Sequence, residues 1–266
     1  KAKEGEVYTP REVIQLLVEI LDPKPGESVY DPASASNGML IISHKHVKDT
    51  YGKKEAEKLF LYGQEVNQKT RALGTMNLYI HDIKNAQIAA GDTLLYPKFR
   101  EEDGLKKFDV VIANPPWNQD GYPEETLKKG DFWKKRFDYG FVTKQSADWA
   151  WIQHMISSAK NDTGRVGVVI DNGALLRGGK EKKIRTGIIN ADLVECVILL
   201  PEKLFYNTTA HGAIIILNKN KVSERKNKVL FINASDEFKK HLEVRKLNAL
   251  PKKSTDKILC SYRDFN

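Results

Sequence analysis

The segment Phe108-Asp-Val-Val-Ile-Ala-Asn-Pro-Pro-Trp117 constrains this chain more than any other. Its apolar run through Ala113 reads as a strand buried on both faces, because a half-covered strand would alternate apolar and polar residues. The run leads straight into Asn114-Pro115-Pro116-Trp117. Consecutive prolines hold φ near about −65° and donate no backbone hydrogen bond. The strand must therefore end there, with its carbonyl oxygens left as acceptors. A carboxamide, bare carbonyls and a large flat ring at one strand end suit a planar ligand bearing an amino group, such as a nucleobase. A proline-rich turn without a ligand accounts for the same residues, so the choice between them rests on the rest of the chain.

Around this segment, strand-like runs alternate with helical patterns. Strands are expected over residues 28–33, 60–66, 86–90, 108–113, 166–170, 193–200, 213–217 and 229–232. Helices are expected over 9–20, 38–51, 69–81 and 147–160, the first with Thr9 as N-cap, Pro10 at its first position and Glu12 at its third. Continuous apolar strands separated by helices imply a mostly parallel sheet covered on both faces, an α/β doubly wound fold. One domain is expected over residues 1–235, followed by a basic extension, 236–266, read as the start of a solvated helical region. Residues 117–148 are long, charged and aromatic; such a loop is usually functional, and its aromatics argue against plain disorder.

Composition sets looser bounds. The chain has 266 residues, 41% of them hydrophobic and 29% charged, the profile of an ordinary soluble domain. No apolar run is long enough to cross a membrane and no signal peptide is visible. Cys196 and Cys260 lack metal-ligand or redox spacing, so no metal is expected and a reducing, cytoplasmic setting is. The start at Lys1 and the stop at Asn266 in mid-pattern suggest a fragment. A net charge of +8 permits a polyanionic partner, although a lysine-rich solvated surface is the commoner explanation.

In an open α/β sheet, ligands bind beyond the carboxyl ends of the strands. The strand exits are all polar. The first is Asp31-Pro-Ala-Ser-Ala-Ser-Asn-Gly38, a small-residue loop entering a helix; the second ends at Glu65 in Gly63-Gln64-Glu65; the third is Gly91-Asp92-Thr93-Leu94; the fourth is Asn114–Trp117. Glu65 stands where such folds place a ribose-binding carboxylate, and Asp92 could accept from an exocyclic amine. Each acidic residue taken alone could cap a helix or tie a turn. Their recurrence along one edge is what capping does not explain.

With these blocks in view, the sequence resembles the amino-group DNA methyltransferases, and most closely the modification subunits of type I restriction-modification systems. The resemblance runs through Gly5-Glu-Val-Tyr-Thr-Pro-Arg-Glu-Val13, the four strand exits, Asp148-Trp-Ala-Trp-Ile-Gln-His154, Leu200-Pro201 and Leu204-Phe-Tyr-Asn-Thr208. It implies a seven-stranded sheet of the class I S-adenosylmethionine-dependent methyltransferase type, with S-adenosylmethionine as cofactor. Tyr8, Thr9, Pro10 and Arg11 would flank the methionine portion; Asp31, Ser34, Ser36, Asn37 and Gly38 would lie along the carboxylate and sulfonium side. Glu65 would hold the ribose and Asp92 the adenine, with Asn114 also at the cofactor. The loop departs from the family's usual Asp-Pro-Ala-Cys-Gly-Ser-Gly-Gly: Ser34, Ala35 and Asn37 replace the cysteine and two glycines. A positive φ at Ala35 would be strained.

The reaction implied is methylation of adenine N6, with Asn114, Pro115, Pro116 and Trp117 as the catalytic tip. Asn114 and the Pro115 carbonyl would hold the amino group, and Trp117 would stack on a base flipped out of double-stranded DNA. Lys144 and Arg177 would touch nucleic acid, with Lys180, Lys182 and Lys183 near the latter. No helix-turn-helix or zinc finger is visible. The resemblance assigns sequence reading to a separate specificity subunit, with a restriction subunit in the full complex. Protein glutamine or cytosine N4 as substrate, and a degenerate subunit that only binds DNA or a partner, stay open as alternatives.

Overall fold

The computed structural model describes residues 8–102, 104–206 and 208–266. Gly5, Glu6, Val7 and Asn207, which belong to the blocks quoted above, lie outside the described residues.

The core is one sheet whose strands are β1 (Ser28–Asp31), β2 (Phe60–Glu65), β3 (Gln87–Ala90), β4 (Val110–Ala113), β5 (Arg165–Asp171), β6 (Val194–Leu199), β7 (Gly212–Asn218) and β8 (Leu230–Asn233). Their order across the sheet is β8-β6-β7-β5-β4-β1-β2-β3. Only β7 runs antiparallel to its neighbours. The sheet has eight strands, as the strand-like runs give, where the family resemblance implied seven: β8, expected over residues 229–232, pairs in parallel with β6 and adds an edge. Its side chains alternate between half-buried and exposed, as a strand covered on one face must.

Helices α1 (Arg11–Leu21), α2 (Gly38–Tyr51), α3 (Gln68–Ile80), α4 (Asp148–Ser158), α5 (Gly179–Asn190) and α6 (Lys252–Arg263) cover the two faces. Strand β4 shows why its sequence is apolar throughout. Val110 and Ile112 pack with α1 and α2, while Val111 and Ala113 pack with α4, so successive side chains feed opposite cores. Trp149, Ile152, Met155 and Ile156 of α4 fill the second of these cores.

Two local expectations are corrected. Helix α1 begins at Arg11, with Pro10 in the cap position and no side-chain cap, because the Thr9 hydroxyl is used elsewhere. The Arg177-Gly-Gly segment leads directly into α5, whose Ile184 and Ile188 are buried. The extension 236–266 is exposed along much of its length but not wholly solvated, since Leu250, Ile258 and Leu259 join the same core as α1 and α2. A short antiparallel pair, Lys239–Lys240 with Asn248–Ala249, leads into α6.

Strand order reverses between β1 and β4, so the switch point of this sheet lies between the exits of Asp31 and Asn114.

Candidate functional site

The β1 exit is built by backbone amides seeking acceptors. Ala33 N–H donates to Asp31 Oδ1 at 3.0 Å, Ser34 N–H to the Gln64 carbonyl at 3.0 Å, and Ala35 N–H to Glu65 Oε2 at 3.0 Å. The other Glu65 oxygen accepts from Asn67 N–H at 2.8 Å, at the cap of α3. The loop turns through two left-handed residues, Ala35 at φ 45° and Asn37 at φ 63°. Asn37 adopts such a backbone readily, whereas for Ala35 it costs about 1 kcal/mol. The Ser34 hydroxyl and both ends of the Asn37 carboxamide are buried with no hydrogen-bond partner among the described residues. Burial, opposed by the Ala33 bond and aided by the nearby Glu65 charge, pushes the Asp31 carboxyl up to about 8.

Helix α3 lies directly against this loop. A Cβ added to Gly74 would stand 2.7 Å from both the Ala35 carbonyl oxygen and Asn37 Nδ2, closer than real Cβ contacts come. Sequence reasoning missed Gly74; an isolated glycine inside a helical pattern was the available signal.

At the β4 exit, the Asn114 carboxamide is held at both ends. Its Nδ2 donates to Thr9 Oγ1 at 2.6 Å, and its Oδ1 accepts from Trp117 Nε1 at 2.7 Å. The Trp117 ring meets Phe205 edge-on with centroids 4.7 Å apart, and the residue is only 5% exposed. The expectation of an open stacking face on Trp117 is thus not met here: the ring turns inward because Phe205 offers it an apolar wall and Asn114 an acceptor.

A cleft of about 260 Å³ joins the two exits. Tyr8, Thr9, Arg11, Asp31, Ser34, Ser36, Gly38 and Asn114 line it, so most of the expected cofactor-side residues come together. Pro10, Asn37, Glu65 and Asp92 are not among its lining. Glu65 sits one hydrogen bond behind the loop. Asp92 is engaged further along the edge, accepting from Leu95 N–H at 3.2 Å and from the Tyr122 hydroxyl at 2.7 Å.

The 117–148 segment is tied down along its length. Arg136, 1% exposed, donates to the carbonyls of Thr93, Leu94 and Asp131 at 3.1, 2.7 and 2.6 Å, and burial, opposed by the charges of Tyr30, Asp131 and Asp92, pulls its guanidinium down to about 10. Lys144 is exposed. Arg177 is not free for phosphate: it pairs with the buried carboxylates of Asp148 and Glu181 and donates to Asn118 and Ser146. Tyr122 and Asn118 were not singled out individually from sequence as site residues, because their partners, Asp92 for the first and Asp148, Asp171 and Arg177 for the second, are distant in the chain.

No group of three or more His, Cys, Asp or Glu side chains among the described residues could hold a metal ion, and no helix among them is long and apolar enough to cross a membrane. The model of the N-6 DNA Methylase family matches residues 1–266. The chain is 50% identical over 271 residues to the type I restriction enzyme MjaVII methylase subunit of Methanocaldococcus jannaschii, covering 100% of this chain and 45% of that protein. It superposes with a TM-score of 0.85 on the methyltransferase subunit of a type I restriction-modification system from Streptococcus thermophilus, at 28% identity over 99% of this chain and 54% of the other. A class I S-adenosylmethionine-dependent methyltransferase from Listeria monocytogenes, described as putative in its own right, shares the fold at a TM-score of 0.67 and 20% identity, covering 97% of this chain and 71% of the other. The chain spans about half the length of the curated relatives it matches.

Proposed function

The chain belongs to the N-6 DNA methylase family, and from that premise we propose that it is the methyl-transferring part of a type I restriction-modification methylase, acting on adenine N6 in DNA. The observation that carries this reading is the Asn114 carboxamide. Thr9 and Trp117 orient it at the switch point, in the same cleft as the β1 loop.

Adenine N6 is a weak nucleophile because its lone pair is delocalised into the ring. Asn114 Oδ1 and the Pro115 carbonyl accept hydrogen bonds from N6–H, which favours a pyramidal nitrogen with its lone pair turned toward the β1 side. No strong base is required of the chain; its contribution is orientation and fixed dipoles. A base inside a duplex cannot reach this cleft, so the target must be extrahelical. Trp117 acts from behind, by fixing Asn114.

The residues fit S-adenosylmethionine as the donor. The cleft offers the Ser34 hydroxyl, buried and without a partner, and the Asp31 carboxyl, against a loop that α3 approaches too closely for a side chain at Gly74. When bound, that cofactor supplies an electrophilic methyl group on a sulfonium. Tyr8 to Arg11, Asp31, Ser34, Ser36 and Gly38 would hold its methionine side, Asn37 would shape the loop, and Glu65 and Asp92 would take its ribose and adenine.

Double-stranded DNA is the substrate on this reading, with Lys144 at its backbone. A specificity subunit reads the sequence, and a restriction subunit completes the assembly in the cytoplasm. The test uses the full-length subunit with its specificity subunit, labelled donor and DNA, followed by mass spectrometry of the nucleosides. N6-methyladenine formed by wild type and lost in Asn114→Ala, with donor affinity retained, is the expected result. N4-methylcytosine, or an active Asn114→Ala variant, sinks the reading.

A further inference from the structure

We propose that Arg177 is a positioning residue for the Asn114–Trp117 turn, acting through Asn118, and not a contact to the DNA backbone; the inference rests on the methyl-transfer reading above. Arg177 follows the short helix Gly173–Leu176 at the exit of β5. Its Nη1 donates to Asn118 Oδ1 at 2.8 Å, its Nη2 to Asp148 Oδ2 at 2.5 Å and Ser146 Oγ at 3.0 Å, and its Nε to both Glu181 oxygens at 3.0 and 2.9 Å. Asp148 and Glu181 are 1% and 3% exposed. Turning the guanidinium outward to a phosphate would leave two buried carboxylates without their cation, which is far costlier than one exposed phosphate contact returns.

Asn118 receives what this cluster holds in place. It is the residue after Trp117 and stands in the left-handed region at φ 50°, which an asparagine tolerates. Its N–H donates to Asp148 Oδ1 at 3.0 Å and its Nδ2 to Asp171 Oδ2 at 2.6 Å, while its Oδ1 accepts from Arg177. Three separate elements thus fix the one residue that follows the catalytic tip: the end of β5, the start of α4, and Arg177. Trp117 in turn fixes the Asn114 oxygen that receives the target amine. Loosening Asn118 shifts the tip, and a misplacement of about 1 Å can cost about 100-fold in rate.

The test measures single-turnover methylation and DNA affinity in the full-length subunit with its specificity subunit, with 2-aminopurine at the target position reporting base flipping. Lysine keeps a charge suited to phosphate but loses the planar fork. Arg177→Lys is therefore expected to lower the methylation rate about 30- to 100-fold while DNA affinity, its salt dependence and the flipping signal stay at wild-type values. Asn118→Gly removes the side-chain ties, accepts the left-handed backbone and leaves the Arg177 ion pairs with Asp148 and Glu181 intact, so it serves as the well-folded variant, and the same loss in rate is expected of it. A wild-type rate in both variants overturns the inference alone. So does a DNA affinity in Arg177→Met whose log–log salt slope is shallower by about 1, the mark of one lost phosphate contact. A wild-type complex that methylates no adenine overturns the underlying reading, and this inference with it.

Discussion

Trp117 Nε1 donates to Asn114 Oδ1 at 2.7 Å, so the aromatic residue of the tip addresses its own carboxamide and not the solvent. With Asn114 Nδ2 on Thr9, the amide cannot flip without breaking both bonds. The oxygen is thereby committed to the acceptor role that an amino-group substrate needs.

That commitment is testable with Trp117→Phe. The phenyl ring keeps an aromatic contact with Phe205 but has no N–H to give. Asn114 Oδ1 then loses the donor that fixes it. The expected outcome is a fall in kcat of about fivefold, the effect of one lost hydrogen bond of about 1 kcal/mol, with donor affinity unchanged. Stopped-time methylation and calorimetry on the same preparation check it; a weakened donor affinity with normal kcat would place Trp117 at the cofactor instead.

The Asp31 carboxyl, raised to about 8 by burial, carries two signs. The folded state holds its proton between about pH 4 and 8 while the unfolded state has released it, so this group makes stability fall as pH rises through that range. Asp31→Asn is expected to raise Tm progressively from pH 4 to 8 and to leave it unchanged below pH 4. If the donor's ammonium requires the ionised carboxyl, binding releases a proton, and the donor Kd weakens by about tenfold for each pH unit below 8. A flat Kd from pH 6 to 8 in wild type would remove Asp31 from the donor site.

Much of this was legible in the sequence because parallel strands buried on both faces announce themselves as unbroken apolar runs. Val110–Ala113 is such a run, and its exit residue Asn114 falls at the switch point for the same reason. What was not legible depended on distant partners. Which way Trp117 turns is decided by Phe205, far along the chain. Arg177 read as one of a basic series because Asp148 was counted as part of an aromatic helix, yet Glu181 at i+4 was a visible partner for it. The extension 236–266 read as solvated because its few apolar residues, Leu250, Ile258 and Leu259, are outnumbered by lysines, although they are the ones that meet the core.

Gly74 gives a prediction with an unusual sign. In an exposed helix interior, glycine to alanine stabilises by about 1 kcal/mol. Here the new Cβ meets the Ala35 carbonyl and Asn37 Nδ2 at 2.7 Å, and a backbone atom cannot swing aside. Gly74→Ala is expected to lower Tm and to weaken donor binding more than tenfold by pushing α3 off the loop. Thermal unfolding and calorimetry read both effects. A more stable variant with normal affinity would mean that the close approach has slack.

Glu65 supplies the last test, because its carboxylate has two duties. It accepts from the N–H groups of Ala35 and Asn67 at 3.0 and 2.8 Å, tying the strained loop to the cap of α3, and it stands where the donor's ribose is proposed to sit. Hydrogen bonds to a charged group contribute about 1.5–3 kcal/mol each, and about 1.4 kcal/mol is tenfold in affinity. Glu65→Ala removes both ties and releases Ala35 from φ 45°, so the donor Kd is expected to weaken at least 30-fold (about 2 kcal/mol). Glu65→Gln keeps one acceptor oxygen but turns an NH₂ toward the other backbone N–H, so it is expected to lose affinity as well, by less. Calorimetric titration of S-adenosylmethionine into each variant orders the three proteins. If Glu65→Ala binds within threefold of wild type, the carboxylate neither orders the loop nor holds the donor, and the cofactor must be seated from the Tyr8 to Arg11 side alone.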